Sequence, residues 1–154
     1  MVKHLLLSHL GVEEAYMFCV GPDFDRALGS IPALDPTVIV TVPSILERCF
    51  DTLARLHADA DSPTLHTVIY VGESATPSLR SRLEGTLGVE VFGYYGASET
   101  SALGIECSAH NGIHLFTDRN VIEVIPEGPD GLSGEVVVTT LKQKALPLLR
   151  YPLG

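Results

Sequence analysis

Apolar residues recur along this chain at two spacings, one helical and one extended. Leu46, Cys49, Phe50, Leu53 and Leu56 fall at the three- and four-residue steps of one helix face. Pro43 closes the extended run ahead of them, and Ser44 with Glu47 has the spacing of a capping box. A second helix is predicted over residues 77–87. Thr76 offers its N-cap, Pro77 its first helical position, Leu79, Leu83 and Leu87 a stripe at four-residue steps, and Gly88 a left-handed exit. A shorter helix capped by Asp23 carries Phe24, Ala27, Leu28 and Ile31, until Pro32 and Pro36 turn the chain out of it.

The extended runs are short and apolar: residues 15–20, 38–42, 67–71 and 89–94. Unbroken apolar character of this kind predicts buried strands. Strand and helix therefore alternate, which predicts an α/β fold with a parallel sheet and helices on both faces. From about residue 95 the helical period disappears. Strands at 113–116, 121–125, 135–141 and 146–151, with the turn-dense run EGPDGLSG at 127–134, predict part of a small β-rich subdomain. The expected division is an α/β subdomain over 1–95 and an incomplete β-rich subdomain over 96–154. The final Tyr151-Pro152-Leu153-Gly154 follows an apolar strand with no closing element, so a piece of a longer protein is expected.

Composition narrows the partners. The 154 residues are 45% apolar and carry 10 Lys and Arg against 19 Asp and Glu, a formal charge of −9. Such a chain has no cation surplus for a phosphate backbone, and no nucleic acid partner is expected. The apolar run at residues 5–7 is too short for a signal-peptide core or a membrane span. Three cysteines without CxxC spacing suit a reducing compartment, and a cytoplasmic location follows. No GxSxG, GxGxxG or GxxxxGK run is present, and the only lysines are Lys3, Lys142 and Lys144. Hydrolase-elbow, dinucleotide-fold and P-loop chemistry are thereby excluded.

The segment GYYGASETSALGIEC, residues 93–107, leaves the carboxyl end of a predicted strand, where α/β sheets bind their ligands. Gly96 permits a tight turn, Tyr95 offers a flat face for a base, Ser98 a hydroxyl and Glu99 a hard oxygen ligand for magnesium. The set suits a nucleotide with its metal; the same residues also compose an ordinary polar loop. Cys107, His110 and His114 are zinc-type donors, though a buried cysteine and solvated histidines account for them equally. Cys19 and Cys49 read as core, His57 and His66 as solvated, Glu123 as the outward residue of a strand, and Arg150 as an ion-pair partner.

YGASET at residues 95–100 resembles the YGxTE or YGxSE signature of adenylate-forming enzymes, the superfamily of acyl-CoA synthetases, luciferases and peptide-synthetase adenylation domains. VPSIL (42–46), VGESATPSLRSRLEGTLG (71–88), IEC (105–107), GIHL (112–115) and GEVVVTTLKQKALPLLRY (134–151) are similar, in order and spacing, to phenylacetate-coenzyme A ligases. The resemblance covers about residues 35–154. It implies an enzyme that activates a carboxylic acid with ATP and magnesium to an acyl adenylate and passes the acyl group to coenzyme A. Carried over, Gly72, Glu73 and Ser74 sit at the adenine pocket with Tyr95 on the base, and Gly96 and Ala97 continue the AMP site. Ser98 and Glu99 take the catalytic positions, Ser98 at the adenylate phosphate and Glu99 on magnesium, while Arg150 matches an RY signature. In the same branch Cys107 and His114 would be half of a zinc site. Gly93 departs from the family's Asp or Asn, which helps to recognise adenine.

The family's Ser/Thr/Gly-rich phosphate loop is not found in these residues, nor are its ribose-binding acid and the domain bearing its catalytic lysine. The isolated chain is therefore expected to be inactive. Self-association through uncovered strand edges is expected as well. The alternative is a non-catalytic nucleotide-binding or protein-interaction module derived from the same family.

Overall fold

The computed structural model describes residues 24–59, 64–128, 131 and 133–153. Two compact units divide at Asp35. In the first, helix α1 (Phe24–Leu34) contains Pro32 and closes with the Asp35 N–H donating to the Ile31 carbonyl at 3.0 Å. The helix thus outruns the proline that was expected to end it. Proline's fixed φ is compatible with a helix, although it gives the ladder no N–H and its ring crowds the carbonyl four residues back. The expected strand at 15–20, the Asp23 cap and Cys19 lie outside the described residues.

The second unit begins with β1 (Val38–Thr41), α2 (Pro43–Asp59), β2 (Thr67–Val71), α3 (Pro77–Leu87) and β3 (Glu90–Ala97). Strands β4 (Ser101–Glu106) and β5 (Ile113–Leu115) follow, then β6 (Asn120–Glu127), β7 (Ser133–Thr140) and β8 (Tyr151–Pro152). One sheet has the order β1-β2-β3-β4-β5, and β6-β7-β8 form a separate antiparallel sheet. The β1-β2 and β2-β3 pairings are parallel, as the strand-helix alternation predicts, and β3-β4-β5 are antiparallel. Helices α2 and α3 contact each other and so share one face of the sheet; among the described residues of this unit no helix occupies the other. Their predicted stripes are the core: Leu46, Cys49, Phe50 and Leu53 from α2, and Leu79, Leu83 and Leu87 from α3, buried with Val68 and Val91. Arg82 lies over the Phe50 ring, 4.1 Å from its centroid, and closes the edge of the helix pair.

The start and end of α3 follow the local sequence. Thr76 is extended (φ −70°, ψ 148°), its Oγ1 accepts from the Leu79 N–H at 3.1 Å, and Gly88 exits at φ 61°. At α2 the capping box is not formed. Pro43 is already helical, and the Ser44 N–H and Oγ–H donate to the Glu73 carboxylate at 3.2 and 3.1 Å, so a residue 29 positions away does what Glu47 was expected to do.

Three further expectations are corrected. Strand β1 is an edge paired only with β2, and it is half-exposed rather than buried: Val38 and Val40, opposite Thr67 and Ile69, share the face of the sheet on which no described helix of this unit lies. The strand expected at 146–151 is reduced to β8. Pro147 has no N–H to give a ladder, and the Leu148 and Arg150 amides donate to the hydroxyls of Thr140 and Thr139 at 2.8 and 2.9 Å. His57 is half-buried in α2 instead of solvated, with its Nδ1 out of contact with any hydrogen-bond partner.

Candidate functional site

Parallel strands β2 and β3 end on the same side of the sheet, and a cleft of about 400 Å³ opens beyond them. Gly72, Glu73 and Ser74, which follow β2 directly, form one wall, and Tyr94, Tyr95 and Gly96 at the end of β3 form another. The resemblance-derived residues of the two segments, separated by some twenty positions, therefore meet around one space. Tyr95 is half-buried at the cleft rather than packed into the core. A side chain at 96 would strike the Ser101 carbonyl oxygen and lie 3.0 Å from the Tyr94 ring, so glycine is required where β3 and β4 converge through a register shift. Glu73 holds the α2 N-terminus with its carboxylate, a favourable end of the helix dipole for a negative charge.

Ala97 ends β3 and is half-buried. Ser98 and Glu99 are the central residues of the tight turn that follows, closed by the Thr100 N–H on the Ala97 carbonyl at 3.3 Å. Both are exposed. Gln143 Nε2 donates to the Glu99 carbonyl at 3.1 Å and ties this turn to the segment between β7 and β8. Arg150 immediately precedes β8 of the other sheet, in an exposed ion pair with Glu123 at 3.3 Å, and does not line the cleft. Cys107 Sγ and His114 Nε2 come within 3.1 Å of each other. Among the described residues no group of three or more His, Cys, Asp or Glu side chains gathers to hold a metal, and the zinc expectation is not supported.

Sequence reasoning missed the polar cluster on the cleft's inner side. Arg80 of α3 donates through Nη2 to Glu106 Oε2 at 2.6 Å and to the Tyr70 hydroxyl at 3.2 Å, and through Nη1 to the Val91 carbonyl at 2.8 Å. The Gly93 N–H also donates to Glu106 Oε2, at 2.6 Å. His110 Nδ1, 2.7 Å from Arg80 Nη1, must be the acceptor in that contact, since a guanidinium has only donors. Burial alone would push the Glu106 carboxyl up, but the Arg80 guanidinium and the Gly93 amide together hold it below the ordinary carboxylate value. Burial likewise works against the Arg80 charge, and its bonds to Glu106 and Tyr70 more than offset this. Outside the cleft, Cys49 is buried as expected. Burial pushes its thiol pKa up, and its Sγ–H donates to the Ile45 carbonyl at 2.7 Å.

A mixed sheet with its cleft past the ends of two parallel strands, walled by a tyrosine-glycine turn, defines the class, and comparison with known proteins agrees. The chain belongs to the AMP-binding enzyme family, whose model matches residues 8–137. Within it, the chain is similar to phenylacetate-coenzyme A ligases. That of Escherichia coli (strain K12) is 31% identical over 156 residues, covering 94% of this chain and 36% of the relative. That of Aromatoleum evansii is 29% identical over 155 residues, covering 94% and 35%. The chain thus spans about a third of the length of the curated relatives it matches. Among solved structures, an open conformation of 2-hydroxyisobutyryl-CoA ligase with 2-HIB-AMP and CoA superimposes with a TM-score of 0.66 at 18% identity, over 88% of this chain and 34% of that one. A benzoate CoA ligase from Burkholderia xenovorans LB400 gives 0.55 at 18% identity, over 78% and 26%. At such identities these structures support the fold alone.

Proposed function

We propose that this chain carries the nucleotide-facing part of an ATP-dependent carboxylic acid–coenzyme A ligase. The observation that supports the reading is the meeting of residues 72–74 with Tyr95 and Gly96 around one cleft. A glycine-lined opening beside an aromatic ring suits a flat base, and the exposed Ser98 and Glu99 follow it within three residues. In this reading Tyr95 stacks on adenine, the Ser98 hydroxyl donates to the phosphate of the adenylate, and Gln143 steadies the turn that carries both groups. Glu99 is a hard oxygen donor on an exposed turn tip, which fits a divalent cation. Magnesium held there would neutralise charge on the phosphates. Orientation and charge neutralisation are what acyl activation asks of a protein, more than a nucleophile of its own. Small-molecule acids and coenzyme A are the expected partners of the whole enzyme. The cysteine pattern favours the cytoplasm, and among the described residues no helix is long and apolar enough to cross a membrane.

Titration of AMP and ATP against the purified chain tests the reading. Binding that weakens at least tenfold in Tyr95→Ala, with magnesium tightening ATP in the parent and not in Glu99→Gln, supports it. Absence of nucleotide binding to the parent chain contradicts it. The same preparation, without the family's phosphate loop and lysine domain, is expected to give no acid-dependent ATP–pyrophosphate exchange.

A further inference from the structure

Tyr70 and Gly93 stand opposite each other in the parallel pairing of β2 with β3, and side chains at such positions share one face of the sheet. A Cβ added at Gly93 would lie 2.6 Å from the Tyr70 hydroxyl oxygen, 2.8 Å from its Cζ and 3.2 Å from Glu106 Oε2. The space that any side chain at 93 would enter is already filled by a phenol hydroxyl and a carboxylate, and both residues line the cleft. Gly93 is therefore more than a missing side chain: it is the room into which Tyr70 leans.

The hydrogen bonds of the pair are only partly used. The Tyr70 oxygen accepts from Arg80 Nη2, which leaves the phenol's own proton to be donated. Glu106 Oε2 accepts from Arg80 and from the Gly93 amide, while a carboxylate offers about four lone-pair sites. The cleft wall thus carries a donor beside an acceptor. That order complements a ring edge with an acceptor nitrogen beside an exocyclic amine, as in adenine. Hypoxanthine presents a ring N–H beside a carbonyl, the reverse order.

Resting on the nucleotide reading above, we propose that Tyr70 and Glu106, seated over Gly93, read the edge of the base and select an aminated purine. Arg80 is the positioning residue, fixing the hydroxyl and the carboxylate through one nitrogen.

Calorimetric titration of the full 154-residue chain with AMP and with inosine monophosphate tests this. The parent binds AMP more tightly. Tyr70→Phe keeps the ring and deletes the proton; it should weaken AMP about fivefold, one hydrogen bond's worth, and leave inosine monophosphate nearly unchanged, so the preference narrows. Gly93→Ala, whose Cβ must push the phenol aside and crowds Glu106 as well, should narrow it in the same way. A thermal melt near the parent's separates lost recognition from lost packing. An unchanged preference in folded Tyr70→Phe overturns the proposal. If Tyr95→Ala weakens AMP binding at least tenfold in that case, the nucleotide reading stands and edge recognition alone fails; if neither nucleotide binds the parent, both fall.

Discussion

Arg80 and Glu106 tie helix α3 to strand β4 across the sheet, and their bond carries a pH signature. The Glu106 carboxyl is held below its unfolded value of about 4.3. The pair's contribution to stability is then fully present above that unfolded value and is lost as pH falls through the lower, folded one. Arg80→Ala, which strands a largely buried carboxylate, should destabilise the fold by about 1–3 kcal/mol at neutral pH. Denaturant unfolding at pH 7 and near pH 3 should show the difference between parent and variant shrinking on the acid side; a difference that holds constant or grows would refute the assignment. None of this was legible in the sequence. Tyr95, Ser98 and Glu99 stand together in one motif, whereas Tyr70, Arg80, Gly93 and Glu106 converge only through strand register, the last pairing spanning 13 residues and the Arg80 bond 26.

Elements were legible where their signals are local. Every part of α3, from the Thr76 cap to the Gly88 exit, lies within thirteen consecutive residues and formed as the spacing predicts. Thr76→Ala should therefore cost about 1 kcal/mol in thermal or chemical denaturation, since it orphans the Leu79 amide; a cost below a few tenths would mean that another group takes the amide over. The α2 start misled for the opposite reason. Ser44 has a suitable glutamate three residues on, but Glu73 arrives from beyond β2 and takes both of its donors. Strand β4 escaped notice because SALGIE is neither alternating nor uniformly apolar, and its place in the sheet comes from β3 and β5 on either side.

At the scale of the molecule, strand-helix alternation correctly implied parallel pairing for β1-β2-β3, but it held no information about the antiparallel extension that completes the cleft with Glu106, Gly112 and Ile113. That extension matters to function, because it brings the IEC segment opposite the end of β2. The account as a whole rests on one claim, that the space beyond β2 and β3 takes a nucleotide. Backbone amide shifts of the isotopically labelled chain, followed while AMP is added, test that claim most directly. The account predicts saturable shifts concentrated at residues 72–74, 93–99 and 106, with residues 120–128 of the other sheet little affected. Shifts that are absent, or that concentrate away from the ends of β2 and β3, would contradict it.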